Sequence, residues 1–149
     1  EMKDLILVRG VPGAGKSFIA RLFMHGASNW ARFIAADDYM VDEDGHYKYD
    51  PTRVAECHKQ CQNDVKLLLS RDDDLINTVI VHNTFCAEWE MDAYYKIAEE
   101  IDDCKVHTII VENRHGSKSV HDVPADKIQM MKDKFTEQDE DGNLKNIIL

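Results

Sequence analysis

Three glycines, a lysine and a serine fall at a chemically informative spacing in Gly10-Val11-Pro12-Gly13-Ala14-Gly15-Lys16-Ser17. The stretch satisfies the pattern G-x-x-x-x-G-K-[ST], in which successive backbone N–H groups surround phosphate oxygens. Gly10, Gly13 and Gly15 let the chain adopt conformations closed to other residues and approach an anion closely. Lys16 adds a point charge for the β- and γ-phosphates, and Ser17 offers a hydroxyl to Mg²⁺ where a helix begins. Contacts to ATP are therefore expected along Gly10, Val11, Pro12, Gly13, Ala14, Gly15, Lys16, Ser17 and Phe18. A plain glycine turn has no use for Lys16-Ser17 after three glycines. The dinucleotide fingerprint fails, because Phe18 stands where its third glycine belongs.

Transfer of a γ-phosphate to a hydroxyl requires a carboxylate within reach of the acceptor proton and cations over the developing charge. Asp37 is the expected carboxylate; the competing reading makes it the N-cap of a short helix over Asp38–Val41. Arg114 and Lys118 lie in the basic loop 113–123 and are the expected transition-state cations. That loop reads equally well as a solvated offset to an acidic surface. Nucleotide-binding domains usually carry an acidic residue at the end of a later strand to hold the Mg²⁺ shell. This chain has His82-Asn83 there, so Asn83 or Thr84 is the expected partner of a metal-bound water, in a neutral site that holds Mg²⁺ weakly.

The elements needed to position these groups are legible from periodicity. Asp4–Arg9, Phe33–Ala36, Thr78–His82 and Val106–Val111 are continuous apolar or β-branched runs, as expected of strands in a sheet covered on both faces. Helices are expected over Lys16–His25, from Asp50-Pro51 to about Ser70, over 87–101 and after Pro124. Val54, Cys57, Cys61, Val65 and Leu68 form the apolar stripe of the second of these, and Ile128, Met131 and Phe135 that of the last. Strand and helix alternate throughout, which predicts a three-layer α/β/α domain around a parallel sheet of four to five strands. The kinase-like domain is expected over residues 1–135, with 136–149 a tail that ends as an edge strand or a frayed segment.

Composition narrows the partners. The formal net charge is −10, which disfavours sequence-independent nucleic-acid binding outside a local basic patch. The four cysteines form neither C-x-x-C nor a disulfide framework and are expected to be reduced. No apolar run approaches about 18 residues and no signal-peptide layout is present, so no membrane partner and a cytoplasmic location are expected.

Beyond the phosphate loop, Ala36-Asp37-Asp38-Tyr39, Asp44-Gly45-His46-Tyr47, Asn83-Thr84 with Trp89-Glu90-Met91, and His121-Asp122-Val123-Pro124 accompany it. Together, over about residues 5–135, these resemble the polynucleotide-kinase-like P-loop kinases, a group that includes phage 5′-polynucleotide kinases and related ATP-binding domains of animal proteins. The resemblance implies a P-loop NTPase sheet in adenylate-kinase-like order, Asp37 as the base that takes the acceptor proton, and Lys118 in the place of a lid arginine. Met40 and Asp64 stand where that group has arginines, and His82 where it has an acid, which points to an altered acceptor. The function expected is ATP-dependent phosphorylation of a nucleic acid or nucleotide hydroxyl, either a 5′-hydroxyl or a hydroxymethyl group on a modified base in DNA. A small-metabolite kinase and a nucleotide-binding module with little catalysis are the alternatives.

Overall fold

Side chains alternate across a strand, so the run Leu5-Ile6-Leu7-Val8 supplies apolar groups to both faces of whatever sheet it joins. In the computed structural model, which describes residues 2–26, 30–72, 75–112, 123–134 and 147–148, that run lies in the central strand β1 (Lys3–Arg9). The other strands are β2 (Ala31–Ile34), β3 (Thr78–Asn83), β4 (Cys104–Ile110) and β5 (Ile147–Ile148). They pair in the order β2-β3-β1-β4-β5, every pairing parallel, as the resemblance implied. The helices are α1 (Lys16–Gly26), α2 (Val54–Leu69), α3 (Asp92–Glu99) and α4 (Ala125–Lys134).

The two faces form separate cores. Leu5, Leu7, Val79 and Val81 pack with Cys61, Val65 and Leu69 of α2 and with Tyr94, Ile97 and Ala98 of α3. On the other face Val8, Ile80 and Ile109 pack with Ala20 of α1, joined by Ile128 and Met131 of α4. Each fully buried Leu or Val contributes about 1.5–3 kcal/mol relative to exposure, which holds the strand ends in fixed register. Val8 pairs with His82 and Arg9 with Asn83, so β1 and β3 finish level and deliver their following loops to one edge.

The structure moves several expected boundaries. β2 ends at Ile34 rather than Ala36, because Ala36 opens a 3-10 turn (Ala36–Tyr39) and its N–H leaves the sheet to meet the Asn83 side chain. Asp37 lies inside that turn and is not an N-cap; Asp38 performs the capping, its carboxylate accepting the Ala35 N–H at 2.9 Å. The single helix expected over 87–101 is a 3-10 turn, Glu88–Met91, followed by α3. Asp50 does cap the start before α2, accepting from the Thr52 N–H at 2.9 Å, and the stripe of α2 takes in buried Leu69 as well as the partly buried Leu68. β5 pairs with β4 as an edge strand, while Phe135 lies outside the described residues. All four cysteines are free thiols. Among the described residues no helix is long and apolar enough to cross a membrane.

Candidate active site

The phosphate loop connects the end of β1 to α1 and is fastened at its start. Gly10 donates its N–H to the Thr84 carbonyl at 3.0 Å, and Val111 donates to the Arg9 carbonyl at 2.8 Å. The loop thus begins between the chain segments that leave β3 and β4. A Cβ at position 10 would sit 2.6 Å from the Val111 carbonyl oxygen, which is why the first glycine is required. Gly13 and Gly15 hold φ of +80° and +102°, the left-handed region that suits a loop turning its amides inward. Ser17 and Phe18 are exposed in the first turn of α1, which carries no acidic residue to compete for an anion. The first N–H groups of a helix have no partner within it.

Lys16 lies back over this loop, its ammonium donating to the Val11 carbonyl at 3.1 Å. Burial pushes its pKa down to about 8, and the nearby Asp37 carboxylate opposes that shift. The donor cradle and the candidate base are therefore electrostatic neighbours although they lie on different loops. Asp37 is exposed, whereas the turn beneath it is held at both ends. Ala36 donates to Asn83 Oδ1 at 2.8 Å. At the other end the Tyr39 hydroxyl donates to Asp64 of α2, and Arg53 donates to the carbonyls of Val41 at 2.8 Å and Tyr39 at 3.2 Å.

A phosphate-binding loop in this strand-loop-helix setting, on a sheet of this order, is shared with known proteins. Residues 5–138 match the family model AAA_33, described as an AAA domain. The chain belongs to this AAA domain family. The chain is a P-loop kinase-like domain, and the polynucleotide-kinase-like resemblance holds. The human NEDD4-binding protein 2 is 32% identical over 96 residues, 64% of this chain; the match spans 5% of that relative's length. A gluconokinase from Sinorhizobium meliloti 1021 superposes with TM-score 0.60 and 15% identity, covering 100% of this chain and 83% of its own. The Pnkp1/Rnl/Hen1 RNA repair complex superposes with TM-score 0.57 and 21% identity, over 90% of this chain and 38% of that one.

Within the AAA domain, Asn83 closes β3 with a buried side chain whose Oδ1 accepts the Ala36 N–H at 2.8 Å. His82 is half-buried with its ring centroid 5.6 Å from that of Phe33, and its Nε2 is buried without a hydrogen-bond partner among the described residues. Desolvation lowers its pKa, opposed first by Asp38. The residues present fit a polyphosphate: left-handed glycines, a retractable ammonium and a bare helix start. For Mg²⁺ they supply the Ser17 hydroxyl, exposed in the first turn of α1. Arg114 and Lys118 lie outside the described residues.

Arg9 was not singled out from the sequence, where it reads as the polar end of an apolar strand. It is fully buried, and it donates from Nε to the Phe85 carbonyl at 3.0 Å and from a terminal nitrogen to Cys86 at 3.4 Å. Desolvation lowers its pKa, opposed chiefly by Glu88. Arg9 thereby fixes the loop leaving β3, in which Phe85 takes a φ of +44°, strained for a side chain of its size. Phe85 is buttressed edge-on by Tyr94, with centroids 5.5 Å apart. A signal did exist: a charged residue ending the central, doubly covered strand has little access to solvent.

Proposed function

We propose that this AAA domain is an ATP-dependent kinase that transfers the γ-phosphate to a hydroxyl of a nucleic acid or nucleotide, either a 5′-hydroxyl or a hydroxymethyl group on a modified base in DNA. The observation that carries the reading is the placement of exposed Asp37, on a turn held at both ends, close enough to Lys16 to support its charge. Asp37 takes the proton as the acceptor oxygen bonds to the γ-phosphorus. The bond from that phosphorus to the β-bridging oxygen breaks, and ADP leaves. Lys16 moves from the Val11 carbonyl to the phosphates, and Arg114 and Lys118 close over the transferring group. Ser17 would hold Mg²⁺, which would supply positive charge to offset that of the phosphates. Asn83 supports the base through Ala36.

The test is transfer from labelled ATP to a panel of DNA and RNA oligonucleotides and nucleotides. Asp37→Asn should lower transfer by about 10²–10⁴-fold while leaving ATP affinity nearly unchanged. Activity within about tenfold of wild type, roughly 1.4 kcal/mol of barrier, rules Asp37 out as the base.

A small, uncharged acceptor is the second reading. It is favoured by a cavity of about 540 Å³ beside the Asp37 turn, whose lining includes Asp42, Glu43, Asp44 and Asp50 but only Lys48 and Arg53 as cations. Polyols in the same panel test it.

A further inference from the structure

Behind the Asp37 turn runs a chain of buried polar groups that the phosphate chemistry does not use. Asn83 Oδ1 accepts the Ala36 N–H at 2.8 Å, Asn83 Nδ2 donates to the Tyr94 hydroxyl at 3.4 Å, and Tyr94 donates to Cys61 Sγ at 3.3 Å. Asn83 is 6% exposed, Tyr94 1% and Cys61 0%, so each group has exchanged water for partners within the protein. The sequence of donors fixes the carboxamide's orientation: its oxygen must face Ala36, because its nitrogen is needed at Tyr94. An apolar trio would fill the seam between β3, α2 and α3 without desolvating an amide, a hydroxyl and a thiol. What the polar chain supplies instead is direction, and it ends on the amide immediately before Asp37. Burial pushes the Cys61 thiol up to about 11, so the far end of the chain stays neutral.

The geometry points to Tyr94 and Cys61 as positioning residues: acting through Asn83, they set the Ala36–Tyr39 turn and so the place of the Asp37 carboxylate. α3 and α2 thus tie the acceptor half of the site to the same core face that holds β1 and β3. The inference rests on the reading of Asp37 as the base. A neighbouring residue provides the control. The Tyr95 hydroxyl is 3.4 Å from Thr108 Oγ1 and 3.8 Å from Met91 Sδ, a comparable pair of contacts with no link to the Asp37 turn.

The experiment compares Tyr94→Phe with Tyr95→Phe in the full chain, reading thermal stability, ATP affinity, kcat, and amide exchange at Ala36 by NMR. Both variants should lose a similar few degrees of Tm. Tyr94→Phe alone should speed Ala36 exchange by at least about tenfold and lower kcat by about tenfold or more, with ATP affinity unmoved. If Tyr94→Phe does not fold, Cys61→Ala, which keeps the ring and Asn83, takes its place with the same expectations. Unchanged Ala36 exchange overturns the inference whatever the activity, as does an equal kcat loss in Tyr95→Phe. Fast Ala36 exchange in Tyr94→Phe together with an active Asp37→Asn keeps the brace and refutes the role of the base instead.

Discussion

Raising the pH from 7 to 9 should weaken nucleotide binding through one lysine. In the free domain the Lys16 ammonium donates to the Val11 carbonyl at 3.1 Å, and burial, opposed by Asp37, holds its pKa at about 8 against an ordinary 10.5. A polyphosphate beside it restores the charged form, so the bound pKa lies above the free one and binding takes up a proton. The free lysine is about nine-tenths charged at pH 7 and about one-tenth at pH 9, given its pKa of about 8. With the bound form charged throughout, affinity falls by about tenfold over that interval, about 1.4 kcal/mol. Below about pH 7 the linkage vanishes, because the lysine is then charged in both states. Calorimetry in buffers of different ionisation heat measures the uptake directly: about half a proton at pH 8, rising towards one at pH 9. Lys16→Met should bind more weakly at every pH and lose the slope. Flat affinity from pH 7 to 9 with no buffer-dependent heat would refute the argument, and so would an equal slope in Lys16→Met.

Arg9→Met keeps the buried stem but leaves the Phe85 and Cys86 carbonyls without their donor, so urea unfolding should show a loss of about 1–3 kcal/mol with the m-value unchanged. For an oligonucleotide acceptor, the logarithm of affinity against that of salt should have a slope no steeper than about −2, since each phosphate contact contributes about −0.7 to −0.9. A slope several-fold steeper would show a phosphate grip that Arg114 and Lys118 alone cannot supply.

The donor half of the site was legible because its determinants are consecutive. Gly10 to Ser17 carry their own conformational and charge requirements, and the apolar run before them and the amphipathic run after them place the loop without distant help. Asp37 was legible as a candidate, but its setting was not. The bond that shortens β2 and opens the turn joins Ala36 to Asn83, residues 47 apart in sequence. Asn83 was read, with Thr84, as a partner of a metal-bound water from its position at a strand end; that its oxygen meets a backbone amide depends on β2 ending at Ile34, two residues before the expected Ala36. The split of 87–101 into a 3-10 turn and α3 follows from a similar local detail, the Glu90 carboxylate capping the Ala87 N–H at 2.7 Å. Periodicity assigns the face of a segment but not the winding of its first turn.

The cations also explain why the acceptor half departs from the resemblance. Where arginines were expected, Met40 is buried at 3% exposure and Asp64 accepts from the Tyr39 hydroxyl. Among the described residues, Arg9 and Arg53 donate to main-chain carbonyls of the loops at this edge: those of Phe85 and Cys86 in one case, Val41 and Tyr39 in the other. Both guanidinium groups are thereby used to fix the loops that follow β3 and β2. A guanidinium engaged in this way has fewer donors left for the paired bonds to a phosphate for which its geometry is suited. Those two loops are tied down by the chain's own arginines, and the chain has a net charge of −10. Shape and contacts to the group that bears the hydroxyl must then do more to select the acceptor than attraction for a nucleic-acid backbone.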